Sequence, residues 1–256
     1  MAGEAIVQPS EQGDMPTGKV PDLSVVIPTY RQSEVIGRQV SEVLRALDDL
    51  GCEYEVLVVV DGDEDCTAAA LATIAHERLR VAVQERNSGK GEAVRRGLLA
   101  VGGRARAFLD GGGDIPPRCL VEAYRLHLAS GSDIVVGSKL HARSVVEYPL
   151  ARRIYSWGYR QLTRLLFGLT VRDTQVGLKI YAAPVVERVF PHVRTSGFAF
   201  DIEALAMAIR LGFRTIVEAP VIVRDRYPST IRPATVATMF VETLMVAGRL
   251  RRFDPE

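Results

Sequence analysis

Four short apolar stretches, each followed by a loop of polar, glycine or proline residues, constrain the fold of this chain most strongly. They span residues 23–30, 54–60, 81–83 and 105–109. Residues 33–50 and 68–77 between them are predicted as helices, and Gly51 is a typical helix stop. Strands that alternate with helices in this way predict an α/β fold, an open and mostly parallel sheet flanked by helices. Ligands then bind at the carboxyl ends of the strands.

The same alternation continues along the rest of the chain. It predicts helices over residues 117–130, 147–168, 198–211 and 234–252, and strands over 133–139, 179–182 and 214–220. Residues 1–22 lack the basic start and apolar centre of a signal peptide, so we expect a disordered leader. One domain over residues 23–233 and a C-terminal amphipathic helix with its tail over 234–256 would follow. No stretch reaches the roughly 18–20 apolar residues that span a bilayer, so we expect no membrane crossing.

Charge and cysteine content exclude some classes of function. The net charge of +1 comes from 32 basic and 31 acidic residues, which argues against a general nucleic-acid binder. The chain has three cysteines, an odd number, at Cys52, Cys66 and Cys119. They lack the spacing of metal ligands. A reducing, cytoplasmic environment fits them best.

Residues 110–114, Asp-Gly-Gly-Gly-Asp, are the strongest candidate for chemistry. Glycine lets the backbone pass close to a ligand, and two carboxylates suit a hard cation such as Mg²⁺ that also carries phosphate. Taken alone, the segment fits a solvated turn equally well. However, Thr29, Asp61 and Asp110 all follow predicted strands and would therefore meet at one edge of the sheet. Unrelated turns would not need to share that placement.

Two further segments carry charges that a ligand could use. Residues 86–97 place glycines and Lys90 at a helix start, which favours an anion, although the pattern is not a Walker A motif. The apolar helix over 234–252 ends in Arg249, Arg251 and Arg252. That helix could lie at an anionic membrane surface, or pack on the domain or on a second subunit as in a homodimer.

Six motifs, in this order and spacing, resemble the GT-A fold (Rossmann-like) glycosyltransferases of family 2. They are VVIPTY at 25–30, VVDG at 59–62 with Asp65, NSGKG at 87–91, FLD at 108–110 with DIPP at 114–117, DTQVGLK at 173–179 and GFAFDIE at 197–203. The Asp-Thr-Gln-x-Gly-x-Lys segment is typical of the branch that glycosylates dolichyl or polyprenyl phosphate. The resemblance covers roughly residues 22–250.

The resemblance implies a set of site residues, position by position. Pro28, Thr29, Tyr30 and Asp61 would hold the base and ribose of a nucleotide diphosphate sugar, with Lys90 nearby. Asp110 and Asp114 would bind the donor pyrophosphate through Mg²⁺ or Mn²⁺. Lys139, Arg152 and Ser156 would grip the acceptor phosphate, and Asp173, Gln175 and Asp201 would line the sugar side. Asp110, Asp114, Arg152 and Asp201 are the implied catalytic residues.

This chain departs from the family pattern at Gly112, where the second aspartate of Asp-x-Asp is expected. Asp110 and Asp114 could still hold a cation together with water and phosphate oxygens. Weaker metal binding, a different metal and loss of activity all stay open at this point.

The implied reaction is inverting transfer of a hexose from UDP-glucose or GDP-mannose to the lipid phosphate, because an ionised phosphate attacks without a strong base. One alternative is a soluble acceptor, for which Asp201 or Glu203 would be the candidate base. A second is a protein that binds nucleotide sugars without transferring them. A dehydrogenase is disfavoured, since no Gly-x-Gly-x-x-Gly follows the first strand. The expected location is cytoplasmic, including the cytoplasmic face of a membrane.

Overall fold

A computed structural model describes residues 19–146, 160–197, 199–223 and 233–253. Most of the predicted leader, the predicted acceptor residues Arg152 and Ser156, and the first part of the predicted helix over 147–168 lie outside these ranges.

Within the described residues, seven strands form one sheet. In chain order they are β1 (Leu23–Thr29), β2 (Tyr54–Val60), β3 (Leu79–Val83), β4 (Ala105–Leu109), β5 (Ile134–Ser138), β7 (Leu178–Ala182) and β8 (Ile216–Pro220). The spatial order is β3-β2-β1-β4-β7-β5-β8, and β7 alone runs antiparallel to its neighbours β4 and β5. Two further short strands, β6 (Val145–Val146) and β9 (Ile222–Val223), pair in parallel beside this sheet. The predicted open, mostly parallel sheet is confirmed.

Helices cover both faces of this sheet. They are α1 (Ile36–Asp48), α2 (Thr67–Ala72), α3 (Lys90–Ala100), α4 (Pro117–Ser130), α5 (160–167), α6 (Ala183–Val189), α7 (Phe200–Arg210) and α8 (Pro233–Arg252). Helices α1, α2 and α4 share one apolar core with the sheet, and α3, α6, α7 and α8 share the other. All residues of β1 and β2 are buried, as expected for parallel strands covered on both faces.

Helix α2 is shorter than the predicted helix over 68–77. It ends at Ala72, where the Thr73 hydroxyl donates to the Ala70 carbonyl at 2.8 Å. The Ile74 amide then donates to the Leu71 carbonyl at 3.0 Å, a tighter turn than an α-helix makes. The chain is thereby released early enough for β3 to begin at Leu79.

Candidate active site

The end of β2 fixes the loop that carries Lys90. Asp61 follows β2 directly and is buried, and its carboxylate accepts hydrogen bonds from the Ser88 amide at 2.7 Å and the Gly89 amide at 2.9 Å. Charged hydrogen bonds to backbone amides are among the stronger ones, so Asp61 holds this loop against the sheet. Helix α3 therefore begins at Lys90 beside the ends of β1 and β2.

Lys90 and Asp110 form an ion pair at this edge of the sheet. The Lys90 ammonium lies 2.7 Å from one carboxylate oxygen of Asp110 and 2.9 Å from the other. Burial alone would lower the pKa of Lys90, but the carboxylates of Asp110 and Asp201 outweigh it and raise that pKa. Lys90 is therefore a cation in this site.

The backbone on both sides of Asp110 holds its carboxylate in place. The Asp110 amide donates to the Gly177 carbonyl at 2.8 Å, and the Gln39 side-chain amide donates to the Asp110 carbonyl at 2.6 Å. A Cβ added at Gly177 would come within 1.9 Å of an Asp110 carboxylate oxygen. Only glycine leaves room for Asp110 here, which gives the glycine of the Asp-Thr-Gln-x-Gly-x-Lys motif a physical reason.

A second ion pair lies buried beneath the first. The Lys179 ammonium is 2.6 Å from an Asp201 carboxylate oxygen and also donates to the Val176 carbonyl at 2.9 Å. Lys179 is fully buried and Asp201 is 1% exposed. Burial raises the pKa of Asp201, against the opposing effect of Lys179, and burial lowers the pKa of Lys179. Asp201 therefore lies below the surface of the site and faces a lysine.

The loop over residues 110–114 is shaped by Gln32. With its amide oriented to satisfy both atoms, the Gln32 nitrogen donates to the Thr29 hydroxyl and the Gly111 carbonyl, each at 2.9 Å. A Cβ added at Gly112 would come no closer than 3.5 Å to the Gln32 side-chain amide and 3.9 Å to an Asp114 carboxylate oxygen. A side chain in place of the missing aspartate would thus fit in ordinary van der Waals contact, close to Asp114.

The donor set here suits a cation completed by phosphate. Among the described residues, no group of three or more His, Cys, Asp or Glu side chains could enclose a metal ion. Mg²⁺ commonly takes one or two carboxylates plus substrate phosphates and water, which Asp110 and Asp114 can offer around an open loop. The residues present therefore fit a divalent cation that arrives with a diphosphate.

The predicted acceptor residue Lys139 and the predicted sugar-side residues Asp173 and Gln175 form a second group next to Asp110. The Asp173 carboxylate accepts from the Lys139 amide at 3.1 Å and the Gln175 amide at 3.2 Å, and the Lys139 ammonium is 3.7 Å away. The side-chain nitrogen of Gln175 is buried and has no hydrogen-bond partner within the described part of the chain. Gln175 stands two residues before Gly177, so this group adjoins the Lys90–Asp110 pair.

The predicted nucleotide side lies after β1. Thr29 and Pro28 end this strand, and both are buried. The Tyr30 hydroxyl donates to the Glu64 carboxylate at 3.3 Å, and Arg31 forms an ion pair with the same carboxylate. This pair links the loops after β1 and β2, the two loops that would enclose a base.

No role was predicted from the sequence for several residues that shape this site. Gln32 and Gln39 lie beside or within the predicted helix over 33–50, and Gly177 and Lys179 lie within the DTQVGLK motif. The position of Gly177 and Lys179 inside the Asp-Thr-Gln segment was a usable signal. Gln32 and Gln39 carried none, since both look like ordinary polar residues near a helix start.

Known proteins resemble this chain in sequence. The model of the family described as Glycosyl transferase family 2 matches residues 24–190. The dolichyl-phosphate β-glucosyltransferase of Saccharomyces cerevisiae is 29% identical over 212 residues, 73% of this chain and 63% of that protein. The protein of the same name from Drosophila melanogaster is 30% identical over 74% of this chain and 63% of its own length. The chain thus spans less than two thirds of these relatives, and the predicted resemblance to the dolichyl-phosphate branch is confirmed.

Solved structures resemble it in fold. Glucosyl-3-phosphoglycerate synthase from Mycobacterium tuberculosis, in complex with Mn²⁺, UDP and phosphoglyceric acid, superposes with a TM-score of 0.66 at 21% identity. That match covers 89% of this chain and 79% of the other. The complex of the same enzyme with UDP-glucose gives a TM-score of 0.67 at 20% identity over 93% of this chain and 86% of the other. The predicted GT-A fold is confirmed.

Proposed function

Because this chain belongs to glycosyl transferase family 2, we propose that it transfers a hexose from a nucleotide diphosphate sugar to a dolichyl or polyprenyl phosphate. One observation carries the proposal. The Asp110 carboxylate is seated between Lys90, from the loop at the predicted nucleotide side, and Gly177, from the Asp-Thr-Gln segment. The loop at the predicted nucleotide side and the segment typical of the lipid-phosphate branch therefore converge on one carboxylate. Relatives named dolichyl-phosphate β-glucosyltransferase favour UDP-glucose over GDP-mannose as the donor.

The chemistry asks the protein mainly to position two charged groups. The acceptor phosphate is ionised at neutral pH and attacks the anomeric carbon, while the bond from that carbon to the nucleotide diphosphate breaks. Direct attack inverts the configuration, so an α-linked donor gives a β-linked product. Lys139 supplies a cation for the acceptor phosphate, with Arg152 and Ser156 proposed beside it, and the buried amide of Gln175 offers a donor for a sugar hydroxyl.

The leaving diphosphate needs neutralisation. A divalent cation, Mg²⁺ or Mn²⁺, held by Asp110 and Asp114 would supply positive charge to it. Lys90 adds a second positive charge within reach of Asp110, so the chain itself contributes part of that stabilisation. Pro28, Thr29, Tyr30 and Asp61 are proposed to enclose the base and ribose.

The structure disfavours a hydroxyl acceptor that needs a carboxylate base. The two candidate bases, Asp201 and Glu203, are 1% and 2% exposed. Asp201 is paired with Lys179, and Glu203 accepts from two backbone amides and pairs with Arg249. Neither carboxylate reaches the open surface of the site, whereas a phosphate acceptor needs no such base.

A lipid acceptor places the protein at a membrane surface. No helix within the described ranges is long and apolar enough to cross a bilayer. The outer face of α8 exposes Phe240, Val241, Leu244 and Met245, and Arg251 and Arg252 follow it. We propose that this face contacts the cytoplasmic surface of a membrane. A homodimer through α8 stays an untested alternative.

A transfer assay tests the function. Labelled UDP-glucose and GDP-mannose are offered with a short polyprenyl phosphate or with 3-phosphoglycerate, in Mg²⁺, in Mn²⁺ and in EDTA. We expect labelled lipid from UDP-glucose, lost in EDTA and reduced in Asp110→Asn. A product on 3-phosphoglycerate alone would support a soluble acceptor. Nucleotide-sugar binding without any product would indicate a binding protein.

A further inference from the structure

Lys90 occupies the position at which Asp110 would contact a cation. Its ammonium is within 2.9 Å of both carboxylate oxygens of Asp110. Mg²⁺ binds carboxylate oxygens at about 2.1 Å. A divalent ion bound to Asp110 would therefore lie only a few ångströms from this ammonium, and the two positive charges would repel each other.

The charges of two ion pairs, the first partly exposed and the second buried, cancel at this site. Lys90 matches Asp110, and Lys179 matches Asp201 beneath them. The apolar Phe108 ring lies beside both pairs, with its centre 5.1 Å from the Lys179 ammonium and 5.8 Å from that of Lys90. A bare divalent cation would add uncompensated positive charge to this set, which a partly desolvated site resists.

A nucleotide diphosphate reverses this balance. Its phosphates bring negative charge, so its complex with a divalent cation is close to neutral. The same phosphates give the Lys90 ammonium a new anion to contact when it leaves Asp110. Because Gly112 contributes no carboxylate, Asp114 is the loop's one further negative charge, and alone it does not neutralise a divalent cation.

We propose that Lys90 is a resident counter-cation of Asp110 that makes metal uptake conditional on the nucleotide. In the empty protein Lys90 neutralises Asp110 and excludes a bare divalent ion. When the nucleotide diphosphate enters with its cation, Lys90 releases Asp110 to the cation and turns to the phosphates. This inference rests on the proposed function, and it makes Lys90 a positioning residue for the metal.

Metal binding measured without turnover tests it. Free Mn²⁺ is quantified by electron paramagnetic resonance with the wild-type protein, alone and with UDP or GDP. We expect weak binding alone and binding tighter by about 10- to 100-fold with nucleotide. In Lys90→Met the affinity for Mn²⁺ alone should rise about tenfold, and the gain from nucleotide should shrink accordingly.

Two variants control for charge and for folding. Lys90→Arg keeps the cation and should behave like the wild type. Arg95→Met removes a basic residue of the same helix that pairs with Glu92 and not with Asp110, and should leave Mn²⁺ binding unchanged. Circular dichroism confirms that each variant is folded, and Lys90→Gln replaces Lys90→Met if the latter is not.

Two results would overturn the inference. One is wild-type protein that binds Mn²⁺ as tightly alone as with nucleotide, a result that needs no variant. The other is a folded neutral variant at position 90 that binds Mn²⁺ alone no more tightly than the wild type. Failure of the proposed function has a different signature, because nucleotide-dependent Mn²⁺ binding would persist while no labelled lipid forms.

Discussion

At the scale of single residues, Gly112 is the position where this chain lacks a carboxylate that the family pattern has. A side chain there has room, since a Cβ would meet its nearest neighbours only at 3.5 and 3.9 Å, and the backbone is not left-handed. We therefore expect Gly112→Asp to fold normally and to add a carboxylate facing Asp114. Mn²⁺ affinity in the presence of nucleotide should rise by about tenfold, or about 1.4 kcal/mol. Titration calorimetry measures it.

Gly112→Asn is the matched control, because it adds a side chain of the same size without the charge. Equal Mn²⁺ affinity in the aspartate and asparagine variants would show that the cation does not bind beside this loop. In that case Asp114 would also lose its proposed role as a metal ligand.

Position 177, in contrast to position 112, has no room for a side chain. In Gly177→Ala the methyl group would overlap the Asp110 carboxylate, so Asp110 must turn away from Lys90. Misplacing an active-site group by about 1 Å costs on the order of 100-fold in rate, and we expect a loss of that order in the transfer rate of Gly177→Ala. Steady-state kinetics with labelled donor measures the loss. Gly102→Ala, where a Cβ meets nothing within 4 Å, should keep full activity. A Gly177→Ala enzyme as active as this control would contradict the described position of Asp110.

At the scale of elements, α8 is joined to the site through the segment before α7. Arg249 of α8 pairs with Glu203 at 2.8 Å and donates to the Thr195 hydroxyl at 2.6 Å. The Glu203 carboxylate also accepts from the Thr195 amide at 2.7 Å. The Ser196 carbonyl in turn accepts from the Gly91 amide at 2.7 Å, at the start of α3 beside Lys90. Contacts therefore run without a gap from α8 to the helix that carries Lys90.

Removing Arg249 should cost stability. In Arg249→Met the buried Glu203 carboxylate keeps only its backbone donors, and we expect a loss of about 1–3 kcal/mol in the free energy of unfolding. For a chain of this size that lowers the melting temperature by about 2–4 °C per kcal/mol. Urea and thermal denaturation measure both values. Arg251→Met, an exposed arginine of the same helix, should change neither. Equal stability of the two variants would show that the Arg249–Glu203 contact is not formed in solution.

At the scale of the whole molecule, the features that could be predicted from the sequence are those that local patterns determine. Alternating apolar stretches gave the α/β class, and placement after strands brought Asp61 and Asp110 to one edge of the sheet. The antiparallel insertion of β7 between β4 and β5 could not be predicted, because it depends on pairing between residues that are far apart in sequence. The contact of Gly177 with Asp110, and the burial of Lys179 with Asp201, follow from that pairing and were hidden for the same reason.

The outer face of α8 is where the molecule as a whole would meet its acceptor. Leu244 and Met245 are 57% and 62% exposed, so charging them leaves the core intact. We expect the double variant Leu244→Glu, Met245→Glu to bind anionic vesicles at least about tenfold more weakly, because apolar area and attraction to the lipid are both lost. Vesicle co-sedimentation measures it. Leu128→Glu, at a 63% exposed leucine of α4, should bind like the wild type. If the double variant keeps its vesicle binding but changes its mass in solution, α8 is a subunit interface instead. The lipid acceptor must then approach the Lys139 side of the site by another surface.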